Sequence, residues 1–236
     1  MTTNSQKEFR AQKAKECIEV YGDDPFVRID IVREGKLEDL DLLVYDPFPK
    51  VREEVVRHGY DHHLDILSTD TNFFVAREVA FFGREEDLNK LVKHQHAAVR
   101  IAVMYHHRES DFNRLMKDKI EFIRIYIAEH GTDYHRDYLA TDLSRNVRKT
   151  VARFGNEEQQ LKLTTDPDWH VRAFLARSRI PSVQYALLED LDPRVRRSLI
   201  SSFAPDDIIY TLFEDSDDVT SAKAARELER RGLSLD

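Results

Sequence analysis

Residues 142–165 read DLSRNVRKTVARFGNEEQQLKLTT, and residues 166–189 read DPDWHVRAFLARSRIPSVQYALLE. Both blocks begin with Asp and carry Val at the sixth place and Arg at the seventh. Stepping by 24 from Val27 reaches Val51, Val75, Val99, Ile123, Val147, Val171, Val195 and Val219, with no insertion or deletion required. The next residue is Arg at seven of these nine places (Arg28, Arg52, Arg100, Arg124, Arg148, Arg172, Arg196), and Ala76 and Thr220 occupy the other two. Asp46, Asp70, Asp118, Asp142, Asp166 and Asp190 recur before the aliphatic, with His94 and Glu214 in the same register. Gly35, Gly59, Gly83, Gly131 and Gly155 recur eight residues after it. A fixed period of this size is the mark of stacked structural repeats.

Each unit has a physical reading. Asp24, Asn72, Ser144, Asp168, Asp192 and Ser216 stand three residues before the aliphatic, where an N-cap side chain accepts orphan backbone N–H bonds. Pro25, Pro49 and Pro193 follow, at the first helical position that proline favours. A helix of about two and a half turns then ends at the recurring Gly, the usual C-terminal cap. A shorter amphipathic piece comes next, with apolar pairs such as Leu40/Leu43, Leu64/Leu67 and Leu88/Leu91. Helices this short gain stability only by stacking on neighbours. The predicted fold is an all-α, right-handed α-solenoid of about nine 24-residue units. Residues 1–22 are expected to form an N-terminal capping helix, 23–216 the repeats and 217–236 a C-terminal capping unit, within a single domain.

Composition narrows the classes of function. The chain has 236 residues and a net charge of −8, a poor balance for a general polyanion binder. Only Cys17 is available, which excludes an internal disulfide framework and a multi-cysteine metal site. No apolar run suits a membrane span, and the first residues lack the apolar stretch of a signal peptide. The expected location is the cytoplasm.

The D-x-x-x-x-[VI]-R pattern resembles HEAT-like, ARM-type repeats. The 24-residue period with V-R-x-x-[VLI]-[AV] and L-x-x-L is similar to the leucine-rich repeat variant family over residues 23 to about 232. That resemblance implies one α-helix and one short 3₁₀ helix per unit, stacked as a superhelix. One type in that family bears an N-terminal cysteine-bound iron–sulfur cluster. With Cys17 alone that cofactor is not carried over, and no cofactor is expected.

On a wheel at about 100° per residue the recurring Arg falls inside the apolar arc, so it needs a partner. The Asp six residues earlier supplies one, predicting a structural ladder of Asp46/Arg52, Asp118/Arg124, Asp142/Arg148, Asp166/Arg172 and Asp190/Arg196. The alternative use of these Arg residues is a basic strip for phosphates. Ala76 leaves Asp70 without its mate in this scheme, and His94 replaces the next Asp, so the stack is expected to be weakest between residues 70 and 100.

Ten His raise the question of a metal site, yet no His-Glu dipeptide of the kind used by HEAT-like hydroxylases occurs. His58, His106 and His130 fall at helix ends, where they complement the dipole and the last carbonyls. His62, His63 and His135 fall in the polar inter-helix turn, where exposure is expected. His94 and His96 with Asp70 or Asp118 are possible ligands, but no metal site is predicted. No phosphate loop, nucleophile elbow or zincin motif appears. A DNA-glycosylase-like or bilin-lyase-like activity of the HEAT-like class is the remaining enzymatic or chaperone reading, and the acidic balance weighs against the former.

The arc opposite the core carries Phe81, Ile101, Tyr105 and Ile125 in the central units, bordered by Arg77 and Tyr126. The outer units place Arg57, Arg153 and Arg177 there, with Arg33 and Lys149. The HEAT-like resemblance implies that this helix lines the concave side. An apolar patch with a charged rim suits a protein or peptide partner, and curvature packing is the bland alternative. The expectation is a non-enzymatic scaffold that binds a protein or peptide. Nucleic-acid binding through the flanking Lys/Arg positions is the alternative.

Overall fold

A computed structural model describes residues 4–201 and 203–234. Residues 1–3 of the first predicted capping segment and 235–236 of the last lie outside the described residues. All regular structure among the described residues is α-helical: α1 (Asn4–Tyr21), α2 (Pro25–Glu34), α3 (Leu37–Leu43), α4 (Pro49–Val56), α5 (Asp61–Leu67), α6 (Phe73–Phe82), α7 (Glu85–Leu91), α8 (Ala97–Met104), α9 (Glu109–Leu115), α10 (Glu121–His130), α11 (Asp133–Leu139), α12 (Arg145–Phe154), α13 (Glu157–Leu163), α14 (Trp169–Leu175), α15 (Pro181–Ala186), α16 (Pro193–Leu199), α17 (Asp206–Phe213) and α18 (Asp218–Arg231). From α2 to α13 longer and shorter helices alternate as the period predicts, and the same two-helix units continue to α18 with α14 and α16 shortened, so the fold is an α-solenoid. The second helix of each unit is a short α-helix, where the family resemblance implied 3₁₀.

The chain divides into two compact units, residues 1–111 and 112–236, a division that the unbroken 24-residue register does not announce. In the first unit the long helices pack in succession, α2 on α4, α4 on α6 and α6 on α8, with α3, α5 and α7 wedged beside them. The second repeats the plan with α10, α12, α14, α16 and α18. Val51, Val55, Val56, Leu64 and Leu67 are buried, and the equivalent side chains of later units join them. No helix among the described residues is long and apolar enough to cross a membrane.

The caps fall where the sequence places them. Asp24, Asn72, Ser144, Asp168 and Asp192 each accept the backbone N–H two residues on. The last unit is the exception. Asp217, not Ser216, caps α18 by accepting from the Thr220 N–H. Val219 is accordingly 56% exposed and Thr220 is fully buried, so one extra residue between α16 and α18 shifts the frame. Val27 is also exposed: α2 packs chiefly on α3 and α4, while α1 packs chiefly on α3.

Cys17 lies buried in α1, and its thiol donates to the Leu42 carbonyl at 3.2 Å. Burial, followed by the Asp46 carboxylate, pushes the thiol up to about 12, so it stays protonated at neutral pH. Ellman's reagent is therefore expected to leave the native protein unmodified and to titrate one thiol only after unfolding in guanidinium. Rapid reaction of the folded protein would contradict this burial.

Candidate functional site

The Arg ladder is present, but its rungs differ from the six-residue pairing. Arg148 donates through Nε and Nη2 to both carboxylate oxygens of Asp166, at 2.6 and 2.9 Å. Its Nη1 donates to the backbone carbonyl of Asp142, at 2.8 Å. The carboxylate of Asp142 instead receives Arg124, 18 residues earlier. Arg28–Asp46, Arg52–Asp70 and Arg172–Asp190 follow the same rule, and Arg196 reaches Asp215 across the extra residue. Arg124 likewise takes the Asp118 carbonyl. Each Arg thus joins its own turn, through a carbonyl, to the next turn, through a carboxylate. The carboxylate also accepts the N–H two residues on, as Asp142 does from Ser144 at 2.8 Å, so that one short side chain holds the turn and the rung together.

This pairing changes the reading of the third unit. Asp70 has its mate, Arg52, at 2.7 Å. The side chain that Ala76 would have met is residue 94, and that residue is His. The rung is therefore missing at both ends at once. His94 keeps the turn function of the Asp it replaces, because its Nδ1 accepts the His96 N–H at 3.0 Å. Burial lowers the His94 pKa and favours the neutral ring that this bond requires.

The exposed face carries a second ladder that the sequence reading missed. Arg33 pairs with Glu54 at 3.3 Å, and Arg57 pairs with Glu78 at 2.9 Å, each 21 residues on. The next pair in the series is Phe81 and Ala102. Both ladders thus lapse on α6, one inside and one outside. What remains outside is apolar: Phe81 is 47% and Tyr105 46% exposed, and Phe74 is exposed with the Arg77 guanidinium 5.4 Å from its ring centre. His106, one residue past Tyr105, sends Nε2–H to the Ala80 carbonyl at 2.6 Å, tying the end of α8 to that of α6.

The predicted site residues divide between the two units. Arg77, Phe81, Ile101 and Tyr105 share the adjacent helices α6 and α8 and their C-terminal ends, with Arg57 at the end of α4. Ile101 and Arg77 are half-buried rather than exposed, whereas Phe81 and Tyr105, four residues further along, are open to solvent. The second unit carries Ile125, Tyr126, Arg153 and Arg177. Ile125 is half-buried and lines a 360 Å³ cleft with Arg153, Phe154, Lys149 and Phe174. Tyr126 packs at 4.2 Å between ring centres on His130, which makes it a packed side chain rather than a free one. Arg177 is exposed.

Two further surface features escaped the sequence. Leu143 and Leu191 are 100% and 97% exposed in the turns of the second unit, where polar residues are the default. A groove of 1060 Å³ opens beside α1, lined by Phe9, Arg10, Tyr45 and Ile66. His63 and His135 are both fully buried, contrary to their expected exposure, because each occupies the third position of a short helix that faces the core.

No family model matches the sequence, and no curated protein matches it. Among solved structures the chain is similar to one described as a leucine-rich repeat variant with a novel repetitive protein structural motif, at 26% identity and a TM-score of 0.67. The match covers 80% of this chain and 82% of that one. Fold and ladder define the class as an all-helical repeat protein. Within that class the resemblance to the leucine-rich repeat variant, drawn from the 24-residue motif, is shown.

Proposed function

We propose that this chain is a repeat scaffold without catalytic activity that binds a protein or peptide on the exposed face of α6 and α8. The observation that carries the reading is the lapse of the Arg/Glu ladder at Phe81 and Ala102, which leaves Phe74, Phe81 and Tyr105 in solvent. The two preceding repeats spend the same positions on the ion pairs Arg33–Glu54 and Arg57–Glu78, so the aromatics are not what stacking requires there. Exposed aromatics beside a half-buried Arg are the residue types that dominate interface energetics. Arg77, held over Phe74, is placed to orient a partner's carbonyl or carboxylate.

The nucleic-acid alternative has less support in the first unit, where Arg33 and Arg57 are neutralised by Glu54 and Glu78. Lys149, Arg153 and Arg177 in the second unit are its strongest basis. A display library of amphipathic peptides, panned on the full chain, tests the reading. Phe81→Ser/Tyr105→Ser is expected to abolish capture with the melting temperature nearly unchanged, while Leu143→Ser/Leu191→Ser retains it. Binding that survives the first variant, or unfolding of that variant, would sink the proposed surface. Affinity that collapses by orders of magnitude with rising salt would instead favour nucleic acid.

A further inference from the structure

We propose that Asp41, His62 and His63 form a binding site for a divalent transition-metal ion of the Zn²⁺ type, where α3 and α5 face each other. The two Nε2 atoms converge on one oxygen, Asp41 Oδ1, at 2.7 Å from His62 and 2.8 Å from His63. All three potential ligand atoms lie within 4.8 Å of one another. Two imidazoles and a carboxylate are the borderline donor set that zinc and its neighbours accept, with a fourth position left to water. Tetrahedral zinc keeps its donors roughly 3.3 Å apart, so Asp41 has to retreat by about half an ångström. Its side chain is half exposed, as is that of His62, and both are free to adjust.

The competing explanation is that His63 only caps its helix. Comparison with the other repeats argues against it. Residues 87, 135 and 159 occupy the same place in α7, α11 and α13, and each closes a capping box. His135 Nδ1 accepts the Thr132 N–H at 3.0 Å, which places its proton on Nε2. His63 Nδ1 is buried and has no hydrogen-bond partner. Its proton can therefore move from Nε2 to Nδ1 without breaking a hydrogen bond at Nδ1, which frees Nε2 for a metal. Gln159 reaches Asp137, 22 residues back, as His63 reaches Asp41, so that link is part of the repeat. The addition at α5 is the second imidazole, His62, where the same place in α7, α11 and α13 holds Glu86, Tyr134 and Glu158.

Electrostatics supports the same assignment. Burial lowers the His63 pKa, keeping the ring neutral at physiological pH, with the His62 and His58 rings acting in the same direction against the raising effect of Asp41. Hydrogen bonds from His62 and His63 hold Asp41 below the usual carboxylate range. Glu38 and Asp39 on α3 and Asp61 and Asp65 on α5 add negative charge nearby, partly offset by Arg84, which pairs with Asp61 and Asp65. A neutral imidazole and an ionised carboxylate are the protonation states that ligation needs.

Tag-free full-length protein, titrated calorimetrically with Zn²⁺ and separately with Ni²⁺, is expected to bind one equivalent. Side-chain nitrogen NMR should show the Nε2 signals of His62 and His63 moving on metal addition while those of His135 do not. His62→Ala and Asp41→Ala, both at half-exposed positions, should each weaken binding at least about tenfold, and His170→Ala should leave it unchanged. Absence of binding, unmoved Nε2 signals, or binding that persists in both variants would overturn the assignment.

Discussion

Replacing Arg148 with alanine is expected to destabilise the second unit by about 3 kcal/mol. Its guanidinium is 11% exposed and the Asp166 carboxylate 1%, so the substitution strands a buried anion. It also leaves the Asp142 carbonyl without its side-chain donor and removes the link between two turns. Coulombic attraction alone would be a weak argument, since desolvation opposes it. The loss comes mainly from the unpaired carboxylate that remains. Arg148→Lys should recover only part of it, because an ammonium cannot donate in parallel to two oxygens and in a third direction to a carbonyl. Arg145→Ala, at an exposed position, is the comparison and should cost no more than about 0.5 kcal/mol. Urea denaturation at pH 7 measures all three. If Arg148→Ala stays within the range of Arg145→Ala, the ladder contributes nothing to stability.

The missing rung should be recoverable as a coupling. Ala76→Arg alone buries a guanidinium with only carbonyl partners, and His94→Asp alone buries a carboxylate with no Arg to meet it. Each single variant should therefore be destabilised. In the double variant the two charges stand at the 18-residue spacing that joins Arg52 to Asp70, and a coupling of about 2 kcal/mol is expected. Ala76 is fully buried, so crowding by the longer side chain can mask the sum. The cycle removes that contribution, because it appears in both the single and the double variant. Additive effects would show that α6 and the turn at residue 94 are not in ladder geometry, and would remove the argument that the inner and outer ladders lapse together.

The 24-residue period, the alternation of helices, most caps and the buried aliphatics are all legible along one chain. They depend on spacing and on local chemistry: Asp24 caps because its side chain meets an N–H two residues away, and Val51 is buried because it lies on the apolar arc. Cys17, as the single cysteine, argued against a multi-cysteine cluster from the sequence itself. The candidate surface was legible in part. Phe81 and Tyr105 were found as aromatics on a polar arc, whereas Ile101 and Ile125 were placed too far outward by a wheel that cannot show how far a neighbouring helix covers an edge.

The partners across repeats were not legible. A guanidinium has several acceptors at similar sequence distances, and the period is equally compatible with a carboxylate 6 residues back and one 18 residues ahead. The choice depends on the rise and rotation from one repeat to the next, which point the Asp142 side chain toward Arg124 and its carbonyl toward Arg148. The one-residue shift that exposes Val219 and buries Thr220 has the same origin, since either β-branched side chain satisfies the pattern and only the fit of α18 against α16 and α17 distinguishes them. The convergence of His62 and His63 on Asp41 belongs with these. Periodicity reports which face a residue occupies, and contact between faces is settled by packing in three dimensions.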